Sequence, residues 1–186
     1  MKYYKFFSGV GSKKSLMMDF VDKHNLFIGT VATIYDQLYY AGKISPKEPV
    51  LIEAHDYYTK VYEKGETDKL KLLEEDLVCA GNPQIVSEEL KRLIEEYDAG
   101  CAQFFETEIT NYKARKKYFV MHVVKTVDAG WQGKHGSLVV GEKVGKDDHV
   151  FRLANDTLAH FVSERFMKEY EKRKLKGMSF LCLTID

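Results

Sequence analysis

One passage of this chain occurs twice, and the duplication constrains the fold more than any other feature of the sequence. Residues 84–110 read QIVSEELKRLIEEYDAGCAQFFETEIT, and residues 160–186 read HFVSERFMKEYEKRKLKGMSFLCLTID. Laid over each other without a gap, they share Val86/Val162, Ser87/Ser163, Glu88/Glu164, Glu95/Glu171, Phe104/Phe180 and Ile109/Ile185. Gly100 and Gly177 come into line after a slip of one residue. Each copy reads as an apolar approach, a serine that starts a helix, a glycine that ends it, and a strand.

The helix starts follow from local chemistry. A serine hydroxyl accepts a hydrogen bond from an orphan amide of the first turn, which makes Ser87 and Ser163 suitable N-caps. Glu88 and Glu164 then sit where the positive end of the helix dipole favours a carboxylate. Neither start is a full capping box, because Leu90 and Phe166 occupy the third position after each serine. Leu90, Leu93, Ile94 and Tyr97 form one apolar stripe; Phe166, Met167 and Tyr170 form a shorter one. Gly100 and Gly177 suit a left-handed C-cap. The mixed polarity of 102–109 predicts a half-exposed strand, and the apolar run 178–185 predicts a strand covered on both faces.

Elsewhere, strands are expected over 2–8, 49–54, 117–127 and 150–153, with hairpin turns between Gly130 and Gly145. Short helices are expected over 16–25 and 67–77, and 27–40 fits either state. Strands mixed with a few helices, without regular βαβ alternation, indicate an α+β fold: a mixed sheet with helices packed on one face, carrying the repeated unit of 84–110 and 160–186. The lead-ins to the two copies differ in sequence, which argues against a symmetric pair of domains. A single domain over 1–186 is expected, since only Pro46, Pro49 and Pro83 occur and no linker-like stretch interrupts the chain.

Composition excludes several classes. A chain of 186 residues, 45% hydrophobic and 30% charged, has the make-up of a water-soluble globular protein. It contains no apolar run of membrane-spanning length. The N-terminus lacks the apolar core of a signal peptide. Three widely spaced cysteines, Cys79, Cys101 and Cys182, suit reduced core thiols and a cytoplasmic location. Net charge is zero, but residues 1–110 carry 13 basic and 19 acidic groups (13 − 19 = −6), and residues 111–186 carry 15 and 9 (15 − 9 = +6). Opposed charge of this kind can steer a charged partner.

Reaction chemistry is scarce. Gly9-Val10-Gly11-Ser12-Lys13-Lys14-Ser15 meets neither the Walker A nor the dinucleotide pattern and reads as a basic turn. Ser87 and Ser163 lack the glycines of a nucleophile elbow. The six histidines show no helical zinc spacing, so neither metal nor cofactor is implied. An enzyme would have to converge His122, His149, Asp148 and Glu164 on one pocket. A single-stranded nucleic-acid module would use Lys113, Arg115, Lys116 and Lys117 with Tyr112 and Tyr118. Its expected basic pI is absent, because the sequence pI is 7.0.

Tyrosines concentrate in the acidic N-terminal part. Glu53, Asp56, Tyr57, Tyr58, Tyr62, Glu63 and Glu66 combine rigid aromatic anchors with negative charge, the make-up of a protein-binding surface.

Val150-Phe151-Arg152-Leu153 leads to Phe161-Val162-Ser163-Glu164-Arg165-Phe166, and Gly177-Met178-Ser179-Phe180 follows near the end. Ile85–Leu90 and Tyr118–Asp128 repeat the theme. In these segments the chain resembles the immunity proteins of bacterial polymorphic toxin systems, the eleventh family of that classification, over the second half more than over the first 80 residues. The resemblance implies a non-enzymatic, cytoplasmic inhibitor whose partner is a cognate toxin domain, and it carries over no active residue, cofactor, metal or membrane contact.

Overall fold

The computed structural model describes residues 2–8, 16–21, 27–30, 50–56, 74–78, 84–109, 115–128, 130–131, 138–139, 144–154 and 156–182. Thirteen strands and two helices lie among them: β1 (Tyr3–Ser8), β2 (Leu16–Val21), β3 (Phe27–Thr30), β4 (Val50–Asp56), β5 (Gln84–Ser87), α1 (Glu88–Tyr97), β6 (Ala102–Ile109), β7 (Tyr118–Val123), β8 (Thr126–Val127), β9 (Gly130–Trp131), β10 (Leu138–Val139), β11 (Val150–Leu153), β12 (Asp156–Ser163), α2 (Glu164–Lys172) and β13 (Met178–Cys182). The fold is α+β. Its strands form a five-stranded sheet β13-β1-β12-β11-β8, a six-stranded sheet β3-β2-β4-β6-β7-β5, and the small hairpin β9-β10.

The repeat is structural and falls in equivalent positions of the two large sheets. In the first copy β5 and β6 both run antiparallel to β7, which lies between them. In the second, β12 and β13 both run antiparallel to β1, which lies between them. Each copy is therefore a split β-α-β unit, its helix crossing over a third strand. The registers coincide. Ser87 faces Tyr118 and Val86 faces Phe119; Ser163 faces Tyr3 and Val162 faces Tyr4. Phe104 faces Met121, and Phe180 faces Phe6. The N–H of Glu88 donates to the Lys117 carbonyl at 3.0 Å, and that of Glu164 donates to the Lys2 carbonyl at 2.9 Å. Lys117-Tyr118-Phe119 thus corresponds to Lys2-Tyr3-Tyr4, although the first follows its unit in the chain and the second precedes it. The equivalence is closer than the dissimilar lead-ins suggest.

Both helix starts are as expected: Ser87 Oγ accepts from the Leu90 N–H and Ser163 Oγ from the Phe166 N–H, each at 3.2 Å. The ends differ from expectation. The C-caps are Asp98 and Arg173. Gly100 and Gly177 have positive φ, at 82° and 95°, but lie beyond the caps, and in α2 it is Lys174 that takes the left-handed position, at φ 57°. Gly177 is required for a tertiary reason, because a Cβ there would collide with the Leu77 carbonyl oxygen.

Other local readings are corrected. Residues 16–21 form a strand, because pairing of β2 with β3 and β4 prevails over a helical spacing of apolar residues. Of the helix expected over 67–77, residues 67–73 lie outside the described residues, and 74–78 is not helical: the chain bends at Asp76 and Leu77 is bridged to Val86. Strand β13 is at the edge of its sheet among the described residues, and its Leu181 is exposed, so it is not covered on both faces. Cys101 is a buried thiol, as expected, whereas Cys182 is exposed.

One apolar cluster joins both copies: Leu90, Leu93 and Ile94 of α1, Phe119, Met121 and Val123 of β7, Phe6 of β1, and Phe166 and Tyr170 of α2. The helices meet through Tyr97 and Phe166, whose rings pack edge-on at 5.8 Å. The other face of the five-stranded sheet buries Tyr3, Phe151, Leu153, Ala159 and Phe161, with Phe151 and Phe161 stacked at 5.7 Å. Burying one such side chain is worth about 1.5–3 kcal/mol, so shared burial holds the repeats together.

Candidate interaction site

The junction between the repeats is built on two buried aspartates. At the end of α1, Asp98 Oδ2 accepts the backbone N–H groups of His149 and Val150, at 2.9 and 3.1 Å. At the other end, the N–H groups of Asp76 and Leu77 both donate to the Lys176 carbonyl, at 2.8 and 3.2 Å. These are matching contacts, because Asp76 and His149 occupy the same place in their copies. The Ser87 N–H donates to the Asp76 carbonyl as the Ser163 N–H donates to that of His149. Ser87 Oγ lies 2.6 Å from Asp76 Oδ1, and Ser163 Oγ lies 2.7 Å from His149 Nδ1. Each lead-in is thus tied to the helix end of the opposite copy, the reciprocal pattern of a two-fold interface.

The charges at the two ends differ. At Asp98 one cation among the described residues is ion-paired: Lys125 is held between Asp98 and Asp148 at 2.9 and 2.6 Å. Those two carboxylates outweigh burial and raise the Lys125 pKa. At Asp76 the carboxylate is saturated by Ser87, by the Lys176 N–H at 2.8 Å and by Lys116 Nζ at 2.7 Å. Around it Glu74, Asp76, Arg115, Lys116, Lys174 and Lys176 line an open groove of about 230 Å³. Four cations there face two carboxylates. Lys176 Nζ is 3.8 Å from Glu74, and neither Arg115 nor Lys174 forms an ion pair among the described residues.

Of the residues singled out as a binding surface, Glu53 and Asp56 lie on β4, and their side chains are outside the described set. Tyr57, Tyr58, Tyr62, Glu63 and Glu66 lie outside the described residues. The basic groove was missed in the sequence, because its residues come from three distant segments. The one signal available was the excess positive charge after residue 110.

The chemical alternatives meet specific obstacles. His149 and Ser163 are adjacent, but both are buried and Ser163 is engaged as a cap. Burial first, and the Arg165 charge second, lower the His149 pKa and keep its ring neutral. His122 is buried at 3.5 Å from Gln103, with its pKa lowered by burial and then by Arg152. The groove at Asp76 contains none of His122, Asp148, His149 and Glu164. Within the basic cluster proposed for nucleic acid, Lys116 is paired to Asp76 and Lys117 to Glu106. Tyr118 is buried, with its hydroxyl donating to the Glu75 carbonyl at 2.9 Å, so it offers no stacking face. Tyr112 and Lys113 lie outside the described residues. No group of three His, Cys, Asp or Glu side chains among the described residues is placed to hold a metal ion. No helix among them is long and apolar enough to cross a membrane.

No curated protein matches the chain. A family match covers β4 through β8, and so the first repeat and the Asp76 and Arg115 sides of the groove. It includes the segments 85–90 and 118–128 but not those at 150–153, 161–166 and 177–180, so the likeness is centred earlier in the chain than the motifs indicate. Residues 43–130 match the model of the immunity protein family Imm11, the family that the sequence resembles.

Proposed function

We propose that this chain is a non-enzymatic immunity protein of a bacterial polymorphic toxin system, one that binds a cognate secreted toxin domain in the cytoplasm and neutralises it. The match of residues 43–130 to the immunity family carries the reading. The described polar interior is consistent with it: Asp76, Asp98, His149 and Ser163 are spent on caps and on the junction. An inhibitor needs complementary shape, charge and a few anchors, with no acid, base or metal.

The stretch from Glu53 and Asp56 through Tyr57, Tyr58, Tyr62, Glu63 and Glu66 is its proposed contact with the toxin. A toxin that cleaves nucleic acid presents a basic cleft to phosphates, and an acidic face competes for it. Rim charge speeds association, while buried tyrosines slow dissociation.

The test is co-expression with the toxin domain encoded beside this gene. Growth should be restored by this chain and by no unrelated immunity protein, and the two purified proteins should form a complex. A gene lying among metabolic genes, with no toxin domain next to it and no rescue, counts against the proposal.

A further inference from the structure

We propose that the groove lined by Arg115, Lys116, Lys174 and Lys176 is a docking site for an acidic segment of the protein partner, its carboxylates seated against Arg115 and Lys174. The inference rests on toxin binding as the function, but not on the acidic 53–66 stretch as the contact.

Three observations carry it. The first is charge: the two carboxylates of the groove already have partners, since Asp76 accepts from Ser87, Lys116 and the Lys176 N–H, while Glu74 faces Lys176. Arg115 and Lys174 remain without an ion pair among the described residues. The second is the broken symmetry of the junction. At the matching end, Lys125 is closed between two carboxylates, whereas here the cations exceed the acids and the groove is open.

The third is backbone conformation. Lys174 alone among the described non-glycine residues has positive φ, and it stands just after the C-cap of α2, where glycine is the usual occupant. A lysine there bears strain that glycine would relieve. Backbone hydrogen bonds hold it there against that strain: the Lys174 N–H donates to the Glu171 carbonyl, and two residues on the Lys176 carbonyl accepts from Asp76 and Leu77. An acidic protein segment fits better than nucleic acid. The groove is smaller than ordinary ligand pockets, and Tyr118, the described aromatic of the basic cluster, is buried. Arginine offers a carboxylate a paired, planar set of donors.

The experiment is calorimetric titration of the full chain with the catalytically inactivated toxin domain encoded beside its gene, at low and high salt. Arg115→Glu and Lys174→Glu should each weaken binding about tenfold or more. Lys146→Glu, in the exposed turn before Asp148, should leave it unchanged. Lys174→Gly should melt no lower than the parent yet bind more weakly, which a purely structural lysine would not do. Parental affinity in a folded Arg115→Glu/Lys174→Glu variant overturns the proposal while leaving toxin binding intact. Failure of the parent itself to bind overturns both. Binding of a single-stranded oligonucleotide by the parent, abolished in the double variant, assigns the groove to nucleic acid and likewise overturns it.

Discussion

Asp76 and Ser87 are joined twice: the Ser87 N–H donates to the Asp76 carbonyl at 2.8 Å, and the Ser87 hydroxyl donates to the Asp76 carboxylate at 2.6 Å. The same carboxylate holds Lys116 and the N–H of Lys176, so one buried acid links the cap of α1 to the loop after α2. The Asp76→Ala variant should lose about 3–5 kcal/mol of stability, because it strands a lysine and two further donors. The Ser87→Ala variant should lose about 1–2 kcal/mol. In urea denaturation the double variant should be less unstable than the sum, with a coupling of at least about 0.5 kcal/mol. Strict additivity would mean that the two side chains act independently.

The two glycines of the repeat should respond differently to alanine. Nothing lies near a Cβ built on Gly100, so Gly100→Ala should cost only the positive φ, about 1–3 kcal/mol. Gly177→Ala adds a collision with the Leu77 carbonyl and should exceed that range. Equal melting temperatures for the two variants would contradict the close approach of 177 to 77.

Stability should fall with pH through the histidines before it falls through the carboxylates. His122 and His149 both have folded pKa values below the ordinary 6.5, chiefly through burial. The unfolded chain therefore binds more protons between the two values, and the stabilisation is complete above about 6.5 and lost as pH drops below it. Glu96, Glu164 and Glu169 have lowered pKa values through their pairs with Arg173 and Lys168, and they act only below about 4.5. Thermal melts at pH 7.5 and pH 5.5 should differ in the parent, and the difference should shrink in His149→Gln. An unchanged slope in that variant would place the titration elsewhere.

If the acidic tyrosine stretch contacts the toxin, truncating its rings should show it. Single Tyr57→Ala, Tyr58→Ala and Tyr62→Ala variants should include at least one that loses about 2 kcal/mol or more of toxin affinity. Losses all below about 1 kcal/mol, in folded proteins, would remove this stretch from the interface.

What was legible in the sequence is what short-range chemistry controls. Ser87 and Ser163 cap helices because a hydroxyl and the amide three residues on need no other part of the chain. The strand–helix–strand order of each repeat and the half-exposed β6 follow in the same way, whereas Gly177 is required by its approach to the Leu77 carbonyl, a contact between distant segments. Tertiary structure decided the rest. Nothing in the order of the chain sets Lys2-Tyr3-Tyr4 opposite its unit as Lys117-Tyr118-Phe119 is set, because strand pairing joins segments whose separation in sequence carries no register. Residues 16–21 became a strand because two neighbours supplied hydrogen bonds that local propensity could not anticipate. The basic run at 115–117 looked like one patch, yet folding divided it, sending Lys116 to a buried aspartate, Lys117 to Glu106, and leaving Arg115 beside Lys174. A charge's role depends on what the fold brings within a few ångströms of it, and that information lies in no single segment of the sequence.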